Sequence, residues 1–216
     1  MHHHIQCSTG NWVRTLALTT LVAAGACSSS TGPQTARIQV LLTDAPHEEL
    51  DSAIVWISRI YLQGGGGLEP DTIDADSLAA SGRVDLFNRP GSPLVFDLLK
   101  LRNGITADLT SEEVVNVGNY QGLRLVVDSA RVFLADGVTF TDGSTWGTLK
   151  IPSGYTSGIK VKLDDVLKAE GDRLLTITVD FDVDNNFKIM RNAPGGSVTQ
   201  VLFTPVLREK VRTNES

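Results

Sequence analysis

The sequence predicts an all-β protein, an antiparallel β-sandwich of transthyretin-like or immunoglobulin-like type with one or two short helices. From Arg37 onward, short apolar or β-branched runs follow a period of two, which is typical of half-buried strands. Glycine, proline, asparagine and aspartate separate these runs at short intervals. With 216 residues, 41% of them hydrophobic, the chain is long enough to bury a core without disulfides.

Nine runs in this body have the composition of strands, and that number of short strands is typical of a sandwich. In chain order they are Arg37–Thr43, Ile54–Leu62, Arg83–Phe87, Leu123–Val127, Ala130–Leu134, Val138–Phe140, Gly158–Leu163, Leu174–Val183 and Val198–Leu207.

Turn and helix signals complete the pattern between these runs. The segments 135–137 (ADG) and 142–143 (DG) predict chain reversals. Thr110–Glu113 has the composition of a helix capping box, and Gly118 is placed to end that helix. A second short helix is expected over Asp164–Ala169. The glycines at 64–67 and the acidic stretch Glu69–Ser81 predict one long loop.

The first residues have the features of an export signal. Leu16–Ala26 is uncharged, follows Arg14 and is too short to span a bilayer as a helix. The small residues before Cys27 are similar to a bacterial lipobox, in which a peptidase exposes a cysteine that is then acylated. The alternative is an ordinary signal peptide cleaved after Ala26, with Cys27 an incidental thiol.

These features divide the chain into four parts. Residues 1–26 are predicted to be the signal peptide, and residues 27–36 the lipidated Cys27 and a linker. Residues 37–210 form the β-sandwich domain, followed by a tail at 211–216.

Several stretches of the body, in this order, resemble the bacterial DUF4382 family, a domain of unknown function. They are LLTDAP (41–46), AIVWISRIYL (53–62), VDLF (84–87), LRNGITADL (101–109), GNYQGLRLVVD (118–128), IPSGYTSGIKV (151–161), VDFDV (179–183) and FTPVLR (203–208). The resemblance implies a secreted or lipid-anchored protein with a sandwich-like fold, akin to transthyretin or carboxypeptidase-regulatory modules. It implies no active site.

The composition argues against several classes of function. A net charge of -6 without a basic run makes nucleic acid an unexpected partner. Both cysteines, Cys7 and Cys27, precede the body, so no thiolate metal site is expected there. His47 is the one histidine of the body, and its acidic surroundings suggest a solvated loop. No nucleophile elbow or phosphate-binding loop occurs.

One acidic stretch, Val179–Phe187, suggests a metal site. Asp180, Asp182 and Asp184 alternate and Asn185 follows, so their oxygens could bind Ca²⁺ if the chain curls after Val183. The alternative is an edge of solvated carboxylates with a turn at the asparagines. No other cofactor is expected.

Aromatic residues near loops suggest carbohydrate binding. Trp146, Tyr120 and Tyr155 lie close to turn sequences, and aromatic rings can stack on sugars. Trp56, inside an apolar run, is expected in the core. Aromatic residues make up 6% of the chain, few for a sugar platform.

The sequence therefore favours a membrane-anchored, non-catalytic lipoprotein of the cell envelope, acting as a binding or structural module. The outer membrane or cell surface is the expected location, and a protein or carbohydrate is the expected ligand. The alternatives are an envelope hydrolase acting on glycans or peptides, and a calcium-dependent or carbohydrate-binding adhesin.

Overall fold

The computed structural model describes residues 35–44, 47–64, 82–151 and 158–216, all within one compact unit, Gly32–Ser216. The predicted signal peptide and Cys27 lie outside these residues. So do Tyr155 and the predicted loop from residue 65 to residue 81.

The prediction of an all-β protein is confirmed. Fourteen strands are present in the described residues, with a single turn of 3₁₀-helix at Leu98–Lys100 and one turn of α-helix, α1 (Val183–Asn186). The strands are β1 (Thr35–Thr43), β2 (Leu50–Gly64), β3 (Arg83–Asn88), β4 (Leu94–Asp97), β5 (Ala107–Asp108), β6 (Glu113–Asn116), β7 (Gly118–Leu134), β8 (Trp146–Leu149), β9 (Ile159–Lys162), β10 (Leu167–Ala169), β11 (Leu174–Asp180), β12 (Phe187–Arg191), β13 (Val198–Phe203) and β14 (Leu207–Glu215).

Twelve of these strands form one hydrogen-bonded sheet, and β12 and β13 form a separate hairpin. The main path runs β3-β2-β7-β9-β14-β11-β1-β5, with β4 beside β2, β6 beside β1, and β8 and β10 beside β7. The expectation of purely antiparallel pairing is wrong, because β1 pairs with β11 and β9 pairs with β14 in parallel. The sandwich arrangement stays a prediction.

Two predicted strands, 123–127 and 130–134, are parts of the single long strand β7. Asp128 and Ser129, which were outside both predicted strands, lie within β7. The register of β7 with β2 shifts between Trp56 and Ile57, so a bulge accommodates these polar residues and the ladder continues.

The short strand β9 joins the β3–β2–β7 part of the sheet to the β14–β11–β1–β5 part. Ile159 and Lys160 pair with β7, whereas Val161 and Lys162 pair with β14. Gly158 precedes the strand with a φ of 66°, and a Cβ there would lie 3.1 Å from the Leu125 carbonyl oxygen. This close approach needs glycine.

One core receives the apolar side chains of both parts. On β1 and β11 buried residues alternate with less buried ones, and β2 over 53–57 and β7 over 130–134 follow the same period of two. The buried apolar side chains at these positions belong to one hydrophobic cluster. Over these stretches each strand therefore has one inward face and one face turned away from the core.

Both predicted helices are wrong. The Thr110 hydroxyl does not cap a helix but accepts a hydrogen bond from the Val40 N–H of β1 at 3.0 Å. Val114 and Val115 are β-branched, and β6 pairs with the start of β1.

The second predicted helix, 164–169, ends in strand β10. Leu167 and Ala169 are buried with Lys168 exposed between them, a period of two, and the three residues pair with β7.

Two smaller strand predictions also change at the end of the body. Val138–Phe140 is not a strand, although Phe140 makes an isolated parallel bridge to Val198. The predicted run 198–207 separates into β13 and β14, and β14 continues to Glu215.

A buried asparagine organises the turn after β11. The Asn186 side chain donates to the carbonyl oxygens of Phe181 and Val206, and its Oδ1 accepts from the Val206 N–H at 2.8 Å. Asn186 is fully buried. These bonds connect α1 to the segment that precedes β14, and they satisfy backbone groups that would otherwise be buried unpaired.

We predict that Asn186→Ala lowers the free energy of unfolding by about 3 kcal/mol, because backbone groups at Phe181 and Val206 lose their partners. Urea denaturation measures the effect. The exposed neighbour provides the control, since Asn185→Ala removes solvent-exposed hydrogen bonds to Asp182 and is expected to cost about 1 kcal/mol. Equal losses from the two variants would contradict this role.

Candidate functional site

The predicted acidic cluster lies where β11 ends and α1 begins. Asp182 adopts a left-handed conformation, with φ at 50°, and its carboxylate accepts hydrogen bonds from the Asn185 side-chain amide at 2.9 and 2.8 Å. Asp180 lies 3.7 Å from the ammonium of Lys210 and accepts from the Asp182 N–H. The side chain of Asp184 is exposed. The cluster thus holds its own turn together.

The interactions of this cluster bear on the predicted calcium site. Across the described ranges, no group of three or more His, Cys, Asp or Glu side chains is arranged to hold a metal ion. A calcium site built from Asp180, Asp182, Asp184 and Asn185 stays a prediction.

His47 shows no catalytic arrangement. Its Nδ1 accepts a hydrogen bond from the Glu49 N–H at 3.2 Å, a local contact within the turn. Among residues that the structure describes, no serine or threonine hydroxyl hydrogen-bonds to His47, so none is aligned there for activation as a nucleophile.

The aromatic candidates for sugar stacking separate into different environments. Tyr120 is fully buried and its hydroxyl donates to the Asn116 carbonyl at 2.8 Å, so its ring is not available to a ligand. Burial raises the pKa of this hydroxyl above its usual value. Trp146 is 48% exposed. Trp56, expected to have a structural role, is half-buried and lies outside the hydrophobic cluster.

Trp56 and Trp146 lie on the same outer sheet face, with Arg131 between them. Ala53, Val55 and Ile57 of β2 point into the core, which places Trp56 on the opposite face. Arg131 lies on the adjacent strand β7, and Trp146 follows on β8. Its guanidinium carbon is 5.7 Å from the Trp56 ring centre and 4.8 Å from that of Trp146.

We call these three residues the Trp–Arg row. Both distances are within the range of cation–π attraction. The two indoles lie on β2 and β8, which flank β7, so two strand spacings place the rings on the order of 10 Å apart. The row is therefore a supported aromatic surface.

Arg131 has no polar partner in the described part of the chain. Its Nε is buried without a hydrogen bond, and no carboxylate forms an ion pair with the guanidinium. The nearby carboxylates are engaged elsewhere. Asp97 lies 3.5 Å from the Lys100 ammonium and accepts from the Ala53 N–H, and Asp128 accepts from the Ser58 hydroxyl at 2.6 Å. The cation is held by the indoles without charge compensation.

A cavity of about 500 Å³ adjoins the Trp–Arg row. Its lining includes Ile54, the β2 neighbour of Arg131, and Phe133, the β7 neighbour of Trp146. Its charged lining residues are Asp51, Asp97, Lys100 and Arg102. Indoles, a guanidinium and a polar cavity thus lie side by side on one face.

A second cavity, of about 570 Å³, lies between β8 and the β12–β13 hairpin. Phe140, Leu149, Val201 and Phe203 contribute apolar lining, and Lys150 is its charged residue. Phe140 packs against β8 at Gly147, where a Cβ would lie 3.1 Å from the ring. This cavity contains none of the predicted site residues.

Of the row, Trp146 was predicted from the sequence as a candidate ligand contact, whereas Arg131 was not. The signal was present, since Ala130, Val132 and Leu134 are the apolar members of an alternating run that places Arg131 outward. What the sequence could not supply was the register that sets Arg131 opposite Ile54 of β2 and Thr148 of β8.

Comparison with known proteins gives one match. A family model described as a domain of unknown function (DUF4382) matches residues 35–200. No curated protein and no solved structure matches the chain.

We predict that calcium leaves the thermal stability of this protein unchanged, because Asp180 and Asp182 already have protein partners. Ligand binding to the folded state would raise the melting temperature by mass action, so melting in excess Ca²⁺ is compared with melting in chelator. A calcium-dependent rise that Asp184→Asn abolishes would contradict this prediction and establish the metal site.

Proposed function

Because the chain belongs to the DUF4382 family, whose description assigns no activity, we propose from its geometry that it is a membrane-anchored, non-catalytic envelope lipoprotein that binds carbohydrate. The observation that carries the binding proposal is the Trp–Arg row. Exposed indoles on a rigid sheet offer broad apolar faces with little conformational entropy to lose, and sugar rings present C–H faces that stack on them.

The position of the row supports recognition rather than core packing. The same strands bury their other face in the hydrophobic cluster, so Trp146 is not needed to complete the core. Val95 of β4 is 54% exposed and pairs with Trp56, which extends the apolar surface across a fourth strand. Exposed apolar patches of this kind mark interaction sites.

The proposed anchor is an acyl group on Cys27, placing the domain at the outer membrane or cell surface. In the described residues, no helix is long and apolar enough to cross a membrane. Two or three acyl chains hold a protein at a bilayer stably, since each buried methylene contributes about 0.8 kcal/mol.

An envelope hydrolase acting on glycans or peptides is the second candidate. Asp51 and Asp97 line the same cavity beside the row, and glycoside hydrolysis needs two carboxyl groups facing each other across a cleft. Release of reducing ends from a bound polysaccharide would establish this alternative.

We predict that Cys27→Ala removes acylation, because the lipid is bonded to that sulfur. Cells expressing the protein are fed labelled palmitate, and the label in the purified polypeptide is measured together with its membrane association. Cys7→Ala is the matched control and is expected to retain both. Export of an unlabelled wild-type protein into the medium would contradict the anchor and support the ordinary signal peptide.

We also predict that Trp146→Ala weakens polysaccharide binding by about tenfold or more, since loss of a central aromatic contact commonly costs over 1.4 kcal/mol. Affinity electrophoresis through gels containing neutral glucans or polymers of uronic acids measures binding. Met190→Ala, which removes a comparably exposed apolar side chain on β12, is expected to have no effect. Wild-type protein that binds no polysaccharide would overturn the proposal.

A further inference from the structure

We propose that the ligand of the Trp–Arg row is an acidic glycan, with a sugar carboxylate bound by Arg131 and the sugar rings stacked on the indoles. This inference rests on the proposed function and names its ligand class. It starts from an unusual feature of the face, a guanidinium that has attractive contacts with rings but no hydrogen-bonding partner in the described part of the chain.

No carboxylate of the described residues pairs with the Arg131 guanidinium, whose contacts there are with the two indole rings. The chain carries 25 Asp and Glu residues, yet Asp97, which pairs with Ile54 of β2, contacts Lys100, and Asp128 on β7 accepts from Ser58. The buried Nε has lost hydration without gaining a protein acceptor. Because Nε is buried, an external acceptor would bind the terminal Nη groups of Arg131, which are not among the buried unpaired atoms, and the strongest acceptor for a guanidinium is an anion.

The two neighbouring indoles define the rest of the ligand. They hold the guanidinium between them, so an anion that reaches Arg131 brings its attached group against an aromatic face. A small inorganic anion would leave both rings exposed to water, whereas a uronic acid polymer places a carboxylate and apolar ring faces in regular alternation. The row thus matches both features of such a polymer.

The cavity beside the row fits a polar chain. Arg102 supplies a cation, Asp51 an acceptor for sugar hydroxyls and Ser52 a hydroxyl, while Asp97 and Lys100 pair with each other. On β8, Thr148 lies directly opposite Arg131 and offers another hydroxyl. The cavity is lined by two cations and two carboxylates, so its net charge is zero. We therefore attribute the preference for an acidic sugar to Arg131.

The test compares oligomers of galacturonic acid with the same oligomers after reduction of their carboxyl groups, using calorimetric titration of the full protein. We expect wild type to bind the acidic form about tenfold or more tightly, because a charged hydrogen bond replaces a neutral one. Affinity for the acidic form should fall as salt increases. Both comparisons use unmodified protein and do not depend on the folding of a variant.

The variants assign the preference to one side chain. Arg131→Gln is expected to bind the acidic and the reduced oligomers equally, with the lower affinity of the reduced form. Arg131→Lys is expected to recover part of the preference for the acidic oligomer, because lysine keeps the charge but lacks the planar, bidentate guanidinium. Arg173→Gln, which removes an equal charge from an ion pair with Glu170, should keep the full preference.

Three results would overturn the inference. Equal binding of acidic and reduced oligomers by wild type would remove the role of the carboxylate and leave carbohydrate binding intact. A preference that survives in Arg131→Gln would place the anion elsewhere. Absence of binding to either oligomer and to every neutral polysaccharide would overturn the proposed function as well.

Discussion

The architecture depends on the double pairing of β9. Within four residues this strand bonds to β7 through Ile159 and Lys160 and to β14 through Val161 and Lys162. The sheet therefore continues from the long β2–β7 ladder to the β14–β11–β1 part, and both parts contribute to one apolar cluster. Because that cluster takes one face of β2 and β7, their other face is left for Trp56, Arg131 and, on β8, Trp146.

Local patterns in the sequence predicted the strands whose alternation is regular. β1, β3 and β9 lie close to where the period of two placed them, because their apolar residues face one core. The helix predictions failed because a capping signal depends only on neighbouring residues, whereas both segments form strands by pairing with distant strands, β1 and β7. Thr110 has the residue type of a cap, but its hydroxyl bonds to Val40, seventy positions earlier in the chain. The parallel pairing of β1 with β11 joins segments still further apart in the sequence, such as Arg37 and Leu174, and no local pattern indicates it.

The two candidate sites also show that local sequence patterns do not reveal contacts between distant segments. The alternating aspartates at 180, 182 and 184 are visible in the sequence, yet in the structure two of them have partners in or beside their own turn, which Asn186 fixes from within. The Trp–Arg row is dispersed over three strands, and only the register of β2, β7 and β8 assembles it. The acidic run is conspicuous in the sequence and its residues contact one another, while the less conspicuous Arg131 completes the surface that we propose for recognition.

We propose that recognition takes place on the outer face of β2, β7 and β8, and the most direct measurement is nuclear magnetic resonance of ¹⁵N-labelled protein titrated with galacturonic acid oligomers. We expect the indole N–H signals of Trp56 and Trp146 and the Nε–H signal of Arg131 to shift together as ligand is added. Shifts confined to residues 180–185 or to the cavity between β8 and β13, with those three signals unmoved, would contradict it.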